Sequence, residues 1–399
     1  MSRSAPLLSI VIPTRNRIKY VTHAINSILS IQSSELELVI QDSSDSRNLG
    51  LWLQENISDG RLLFNYSEPP MSMTDNFNSA IRLAGGEYVC MIGDDDGVNP
   101  EIVTATRWAS KNGLDALVPH HGGASYRWPD FQSRYYGSGQ AGKLFINAFS
   151  GAKSYPNTDV EMQRCVQSAG QSKFDLPIVY LGIIRRQCMI EVSKKAGAYF
   201  KGISPDIFGA LAVANYARRV CVIDYPLVLP GSSGGSSSGR SAMGKHKGPL
   251  KDDPHMQAFK DLSWPVLVPE FFSVQTVWAE GAVEALQAMG RTDLLSQFNV
   301  ARLHALCVVL HPDYMMTTLQ SLFRALKVTK IGYFKGTLQF ATQVVVVCWG
   351  QLKRIIFRLI HPKRGLRELE FSGLGNIEVG VQALTKYLET TGQRFEEAG

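Results

Sequence analysis

Closely spaced cysteines are missing from this chain. The six present, Cys90, Cys165, Cys188, Cys221, Cys307 and Cys348, are scattered over 399 residues with no CxxC among them. That excludes a zinc ribbon and supplies no disulfide framework, so a reducing compartment is expected. A long apolar run is missing at the start: "MSRSAPLLSIVIPTRNR" holds about six apolar residues in a row, too few for a signal peptide or a membrane span. A cytoplasmic protein is predicted, or one peripheral to the cytosolic face of an inner membrane. No Gly-x-Gly-x-x-Gly follows the first apolar segment and no P-loop occurs, which weakens the dehydrogenase and ATPase readings together. Acidic residues are missing from one stretch. Tyr314 to Arg367 holds ten Lys or Arg and no Asp or Glu, although the net charge of the whole chain is only +6. The basicity therefore belongs to one segment, and an acidic partner is expected there alone. No nucleic-acid-binding module accompanies it, so no nucleic-acid partner is expected.

What remains is an ordinary globular composition, 45% hydrophobic and 19% charged. "LLSIVIP", "LELVIQD", "RLLFNYSE" and "EYVCMI" read as strands. Between them, "KYVTHAINSILSIQ" and "TDNFNSAIRLA" carry apolar residues at helical spacing. Near-continuous apolar strands alternating with helices predict an α/β fold with a mostly parallel sheet covered on both faces. "IVYLGIIRR" and "RRVCVIDYPLVL" add strands, and "SPDIFGALAVANYARR" adds a helix. The Gly/Ser-rich run from Gly231 reads as a linker or as a mobile loop over a site. The chain from about His255 onward is mainly helical. The division predicted is an α/β domain over residues 1–230, a flexible connection over 231–254 and a helical region over 255–399.

The chemistry concentrates in "EYVCMIGDDDGVNP". A strand climbs straight into Asp94, Asp95 and Asp96, three like charges whose repulsion folding alone does not reward. Hard cations such as Mg²⁺ and Mn²⁺ take carboxylate oxygens together with substrate phosphates, so a strand end carrying D-x-D suits a metal-bound diphosphate. An acidic turn is the plainer reading, since Asp-Gly is good turn chemistry, but it leaves the repulsion unexplained.

Taken in order, "SIVIPTRNR", "LELVIQDSSDS" and "NFNSAIRLAGGEYVCMIGDDDGVNP" resemble a family 2 glycosyltransferase of the GT-A, Rossmann-like fold, over roughly Leu7 to Pro230. The resemblance implies that Pro13, Thr14, Arg15 and Asn16 hold a nucleoside with Asp42 and Asp45. It implies that Asp94 and Asp95 meet the nucleotide sugar and that Asp94 and Asp96 bind Mn²⁺ or Mg²⁺. Gly93 stands where many members carry the first acid. Asn76 faces the donor or serves as a helix cap. In "GISPDIFGALA", Asp206 matches the base of inverting members, with Pro205 in place of the usual acid. It is equally suited to the positive end of a helix. His246 completes a metal shell or lies in a solvated loop; His120 and His121, after "DALVP", are candidates for the acceptor side that no motif fixes. The implied enzyme is an inverting glycosyltransferase. Its implied donor is a nucleoside diphosphate sugar, favouring a UDP-sugar, and its acceptor a glycan or lipid-linked hydroxyl in surface polysaccharide or lipopolysaccharide assembly. Two rivals are a sugar nucleotidyltransferase, which lacks its Gly-rich first loop here, and a non-catalytic sugar-binding scaffold. The basic segment 314–367, with Trp349 beside a Lys/Arg cluster, reads as an interfacial helix for an anionic membrane or as a core helix with a solvated basic face.

Overall fold

The computed structural model describes residues 5–120, 123–134, 136–236, 239, 243, 247–252, 259, 263–360 and 369–395. Strand and helix alternate as the pattern predicts: β1 (Leu8–Thr14), α1 (Ile18–Leu29), β2 (Leu36–Asp42), α2 (Asn48–Asn56), β3 (Leu62–Tyr66), α3 (Met73–Leu83) and β4 (Tyr88–Met91). There follow β5 (Gly97–Val98), α4 (Ile102–Lys111), β6 (Ala116–Pro119), β7 (Ala124–Arg127), β8 (Lys143–Ile146) and β9 (Lys153–Ser154). Then come α5 (Thr158–Gln167), β10 (Ile183–Arg185), α6 (Arg186–Ala196), α7 (Pro205–Ala214), β11 (Val220–Ile223), β12 (Val228–Leu229) and β13 (Gly231–Ser232).

The main sheet runs β3-β2-β1-β4-β10-β6-β11-β9. It is parallel except at β10, antiparallel to both its neighbours, and at β9. The pleat sorts side chains between two layers. In β1, Leu8, Ile10 and Ile12 join the layer of α1, and Val11 joins that of α3. In β4, Tyr88 and Cys90 divide from Val89 and Met91 in the same way. This period of two explains how runs that look uniformly apolar serve both faces. The chain leaves β1 for one layer and enters β4 from the other. A crevice therefore opens beyond the carboxyl ends of β1, β2 and β4, the usual ligand position in such sheets.

The expected three-part division is not how the core is built. After β14 (Lys247–Gly248) and β15 (Phe272–Ser273) come α8 (Val274–Ala288), α9 (Thr292–Leu295), α10 (Val300–Leu310), α11 (Met315–Val328) and α12 (Tyr333–Ile360). Val283, Leu286, Leu303 and Leu326 from these helices share one buried cluster with Val89, Met91 and Val118 of the sheet. Then β16 (Leu369–Phe371) pairs with β8, and α13 (Ile377–Thr391) buries Ile377, Leu384 and Leu388 in the α1 layer. The helical region thus shares its apolar surface with the α/β half. Periodicity reports which face of a helix is apolar, not which neighbour covers it.

Candidate active site

β4 ends at Met91, and the backbone turns so that Asp94, Asp95 and Asp96 are all buried, none more than 6% exposed. Each carboxylate has donors. Asp94 accepts from Thr14 Oγ1 at 2.7 Å and from Arg17 Nε at 2.5 Å. Asp95 Oδ2 lies 2.9 Å from Arg17 Nη2 and accepts from Ser233 Oγ at 2.6 Å and Ser233 N at 3.1 Å. Asp96 accepts from Gly93 N at 2.7 Å, Tyr180 Oη at 2.7 Å and Gly231 N at 2.6 Å. Arg17 is thus the internal counter-charge of the cluster. Burial, then repulsion from Asp95, pushes the Asp96 carboxyl up. Asp94 is raised by burial against the opposing pull of Arg17. Burial also holds the Tyr180 phenol far above its ordinary range, so it stays protonated and donates to Asp96.

The glycines here are steric necessities. A Cβ on Gly231 would stand 1.7 Å from the carbonyl oxygen of Asp95, and one on Gly93 2.6 Å from Tyr180 Oη. Tyr180 therefore accounts for the missing first acid of the motif. The Gly/Ser run, expected to start as a linker or loose loop at Gly231, begins instead as β13 and delivers Ser233 onto Asp95. Its next turn is held by Asp130, which accepts from Gly234 N at 3.2 Å and from Lys19 Nζ at 3.0 Å.

The loop after β1 is knitted to the loop after β2. Pro13 lies in register with Gln41, and Thr14 with Asp42. Asn16, left-handed at φ +57°, donates from Nδ2 to Asp45 at 2.7 Å, accepts from Asp45 N at 2.9 Å, and donates its own N–H to Ser44 Oγ at 2.7 Å. Asn tolerates that backbone better than most residues. Arg15 pairs with Asp45 at 3.3 Å on the exposed rim. Asp42 is fully buried; its Oδ1 accepts from Ser44 N at 2.9 Å and its Oδ2 has no partner. Burial raises its carboxyl. Asn76 does not cap α3, a task done by Ser72. It donates to the carbonyl of Thr14 at 3.1 Å and leaves a buried Oδ1 unpartnered. Two orphaned buried acceptors beside Thr14 are unusual, and they suit a ligand that brings N–H or O–H groups.

Asp206 sits in the first turn of α7 behind Pro205, as expected, but Ser204 makes no side-chain cap. The Asp206 carboxylate is about one-third exposed and lies 4.0 Å from Lys173 Nζ. Its charge helps hold the Tyr180 phenol protonated, which ties it to the Asp96 side of the site. The turn before it is fixed from two sides. Thr74 Oγ1 donates to the carbonyl of Gly202 at 2.7 Å, and Ile203 N donates to buried Glu280 at 2.9 Å. Beside it, Lys173, His120, Phe174, Gln171 and Trp278 line a cleft of about 470 Å³. His121 and His246 lie outside the described residues.

The donor set fits a hard divalent cation in kind, three carboxylates at one strand end. As arranged here their oxygens are engaged by Arg17, Ser233, Tyr180 and backbone N–H groups, and no group of three metal-ligating side chains stands open among the described residues. Sequence reasoning missed Arg17, Tyr180, Ser233 and Lys173. Only Arg17 had a local signal, as one of two arginines after a strand facing an uncompensated acidic triplet. The others come from distant segments.

Residues 9–152 match the family model for glycosyl transferase family 2. A GalNAc(5)-diNAcBac-PP-undecaprenol beta-1,3-glucosyltransferase of Campylobacter jejuni is 33% identical over 98 residues, 23% of this chain and 30% of that one. A chondroitin synthase of Escherichia coli is 29% identical over 101 residues, 25% of this chain and 15% of that one. The matched stretches thus span under a third of these curated relatives. Among solved structures, S. aureus TarS 1–349 in complex with UDP-GlcNAc superposes with a TM-score of 0.52 at 16% identity, covering 86% of this chain and 92% of that one. That likeness concerns the fold. Over residues 9–152 of its N-terminal α/β portion the protein is thus similar to glycosyl transferase family 2.

Proposed function

We propose that the protein is an inverting, metal-dependent glycosyltransferase. It moves a sugar from a nucleoside diphosphate sugar, a UDP-sugar by preference, to a hydroxyl of a glycan or lipid-linked acceptor in surface polysaccharide or lipopolysaccharide assembly. One observation carries the reading: a family 2 match ends its fourth strand in three buried carboxylates beside the Thr14–Arg17 loop. The names of the relatives, one acting on an undecaprenol-linked glycan and one a polysaccharide synthase, support the acceptor class.

In this reading Asp42 and Asn76 take the hydrogen-bond donors of the nucleoside through their unpartnered oxygens, and Arg15, Asn16 and Asp45 form the rim beside it. Asp94 and Asp96 would hold Mn²⁺ or Mg²⁺, which when bound supplies Lewis-acid stabilisation of the departing diphosphate. Asp206 accepts the proton of the acceptor hydroxyl as its oxygen bonds the anomeric carbon and the bond to the diphosphate oxygen breaks, which inverts that carbon. Lys173, its Nζ 4.0 Å from the Asp206 carboxylate, lines the cleft through which an acceptor approaches.

The test is UDP release from a panel of UDP-sugars with a glycan or lipid-linked acceptor, with and without Mn²⁺. Metal-dependent release that disappears in Asp96→Ala supports the proposal. Donor binding without turnover, unchanged by Asp206→Asn, would replace it with a sugar-binding scaffold.

A further inference from the structure

The long helix α12 presents two opposite faces. Gly336, Phe340, Gln343 and Val347 recur at steps of four and three residues and so share one face. That face meets the protein. A Cβ on Gly336 would press on Leu326, Val347 is 4% exposed, and Arg302 Nη1 donates to Gln343 Oε1 at 3.3 Å. On the other side of the helix, Phe334, Leu338, Val345, Trp349, Leu352 and Ile356 form a second stripe, and it stands in solvent. Phe334 is 86% exposed, Val345 68%, Leu338 60% and Trp349 55%. Lys335 and Lys353 flank this stripe, Lys353 with its ammonium 5.4 Å from the Trp349 ring. Beyond Gln351 the helix turns exposed apolar residues outward all round, Ile355 and Ile360 included, with Lys353 and Arg354 among them. Phe323 of α11, half-exposed, adds its ring 6.1 Å from Tyr333.

A contiguous apolar surface of this size on a soluble protein marks an interaction site. Charge selects the occupant. From Tyr314 to Arg367 there are ten Lys or Arg and no Asp or Glu. A two-fold contact with a second copy would set that basic segment against itself, whereas an acidic surface complements it. The helix is long and apolar enough to cross a bilayer by length and composition, an 18-residue window within Tyr333–Phe357 reaching a mean hydropathy of 1.2. Its seated face, held to α10 and α11, keeps it at the side of the protein instead.

We propose that the outer face of α12 docks this protein on an anionic bilayer surface, with the apolar stripe in the interfacial layer and the flanking lysines on lipid phosphates. The inference is independent of the transfer chemistry and survives if that reading fails.

Sedimentation of the full-length protein with phosphatidylcholine vesicles, with and without phosphatidylglycerol, tests it. Binding to the anionic vesicles should exceed binding to the neutral ones by about tenfold or more and fall at high salt. Val345→Glu/Leu352→Glu should abolish recovery while the thermal melt stays unchanged, since both side chains face away from the protein. Should that variant fold poorly, Lys335→Glu/Lys353→Glu decides alone: at about fivefold per charge, its preference for anionic vesicles should collapse. Equal recovery on both vesicle types, recovery on neither, or a stable dimer in solution that Val345→Glu/Leu352→Glu dissociates, would overturn the proposal.

Discussion

The guanidinium of Arg17 binds Asp94 through Nε at 2.5 Å and reaches Asp95 through Nη2 at 2.9 Å, so one cation serves two buried carboxylates. The same Nη2 donates to Ser233 Oγ at 2.7 Å, which draws the strand after Pro230 onto the cluster. Arg17 is therefore both counter-ion and fastener, and its removal exposes the cost of the acidic triplet.

Arg17→Ala should lower stability by about 3–5 kcal/mol, the usual consequence of leaving a buried charge without its partner. Added Mn²⁺ should restore more of the melting temperature in the variant than it adds to the wild type, because the carboxylates then lack a cation. Thermal melts with and without the metal measure both effects. A variant that melts like the wild type would show that Arg17 is not the stabilising charge.

Asp206→Asn keeps the shape of the first turn of α7 and removes the proposed proton acceptor. Turnover should fall by about 10²- to 10⁴-fold, with the KM for the donor little changed, since the proposed donor contacts lie on the β1, β2 and β4 loops. Steady-state kinetics at varied donor and acceptor would reveal the split. A raised donor KM with intact kcat would move Asp206 from chemistry to donor binding.

Glu280 gives stability a pH dependence of known sign. Burial pushes its carboxyl from an ordinary 4.5 up to about 7, so the folded protein binds a proton that the unfolded chain has already lost. Its contribution is complete below the unfolded value and disappears as the pH rises through about 7, a loss of about 3 kcal/mol at most. Glu280→Gln retains an oxygen for Ile203 N and should flatten that slope. Denaturant midpoints on either side of the interval provide the check, and parallel slopes in both proteins would refute the assignment.

Gly93→Ala should destabilise by about 1–3 kcal/mol, because the added carbon would stand 2.6 Å from Tyr180 Oη. Combined with Tyr180→Phe, which removes the colliding oxygen, the loss should be smaller than the sum of the two single changes. A double-mutant cycle in urea reads the coupling directly. Strict additivity would mean that the phenol is not what bars a side chain at this position.

Much of the α/β half was readable from the chain. β2 runs from Leu36 to Asp42 as its apolar pattern predicts, because strand and helix periods are local properties of side-chain order. Other elements depended on context. "IVYLGIIRR" yields only Ile183–Arg185 as strand, and antiparallel to its neighbours, since pairing direction is set by where the chain returns. The helical pattern through "DLLSQFNVARLHALCVVL" breaks between α9 and α10, where Asn299 caps a new helix by accepting from Arg302 N. For the site, the acids and the first-strand loop were visible as motifs, while their partners were not. Tyr180 and Ser233 lie far along the chain from the aspartates they bond, and no spacing rule spans such distances.

The sequence by itself determined the alternating elements, the acidic strand end and the exclusively basic character of residues 314–367, because composition and period are written residue by residue. Only the tertiary structure decided that Arg17, Tyr180, Gly231 and Ser233 converge on three aspartates, and that α8 to α13 complete the core of the sheet. It also turned one face of α12 to the protein and the other to water. Those outcomes rest on contacts between segments far apart in the chain, whose energies depend on burial and geometry that no local pattern contains.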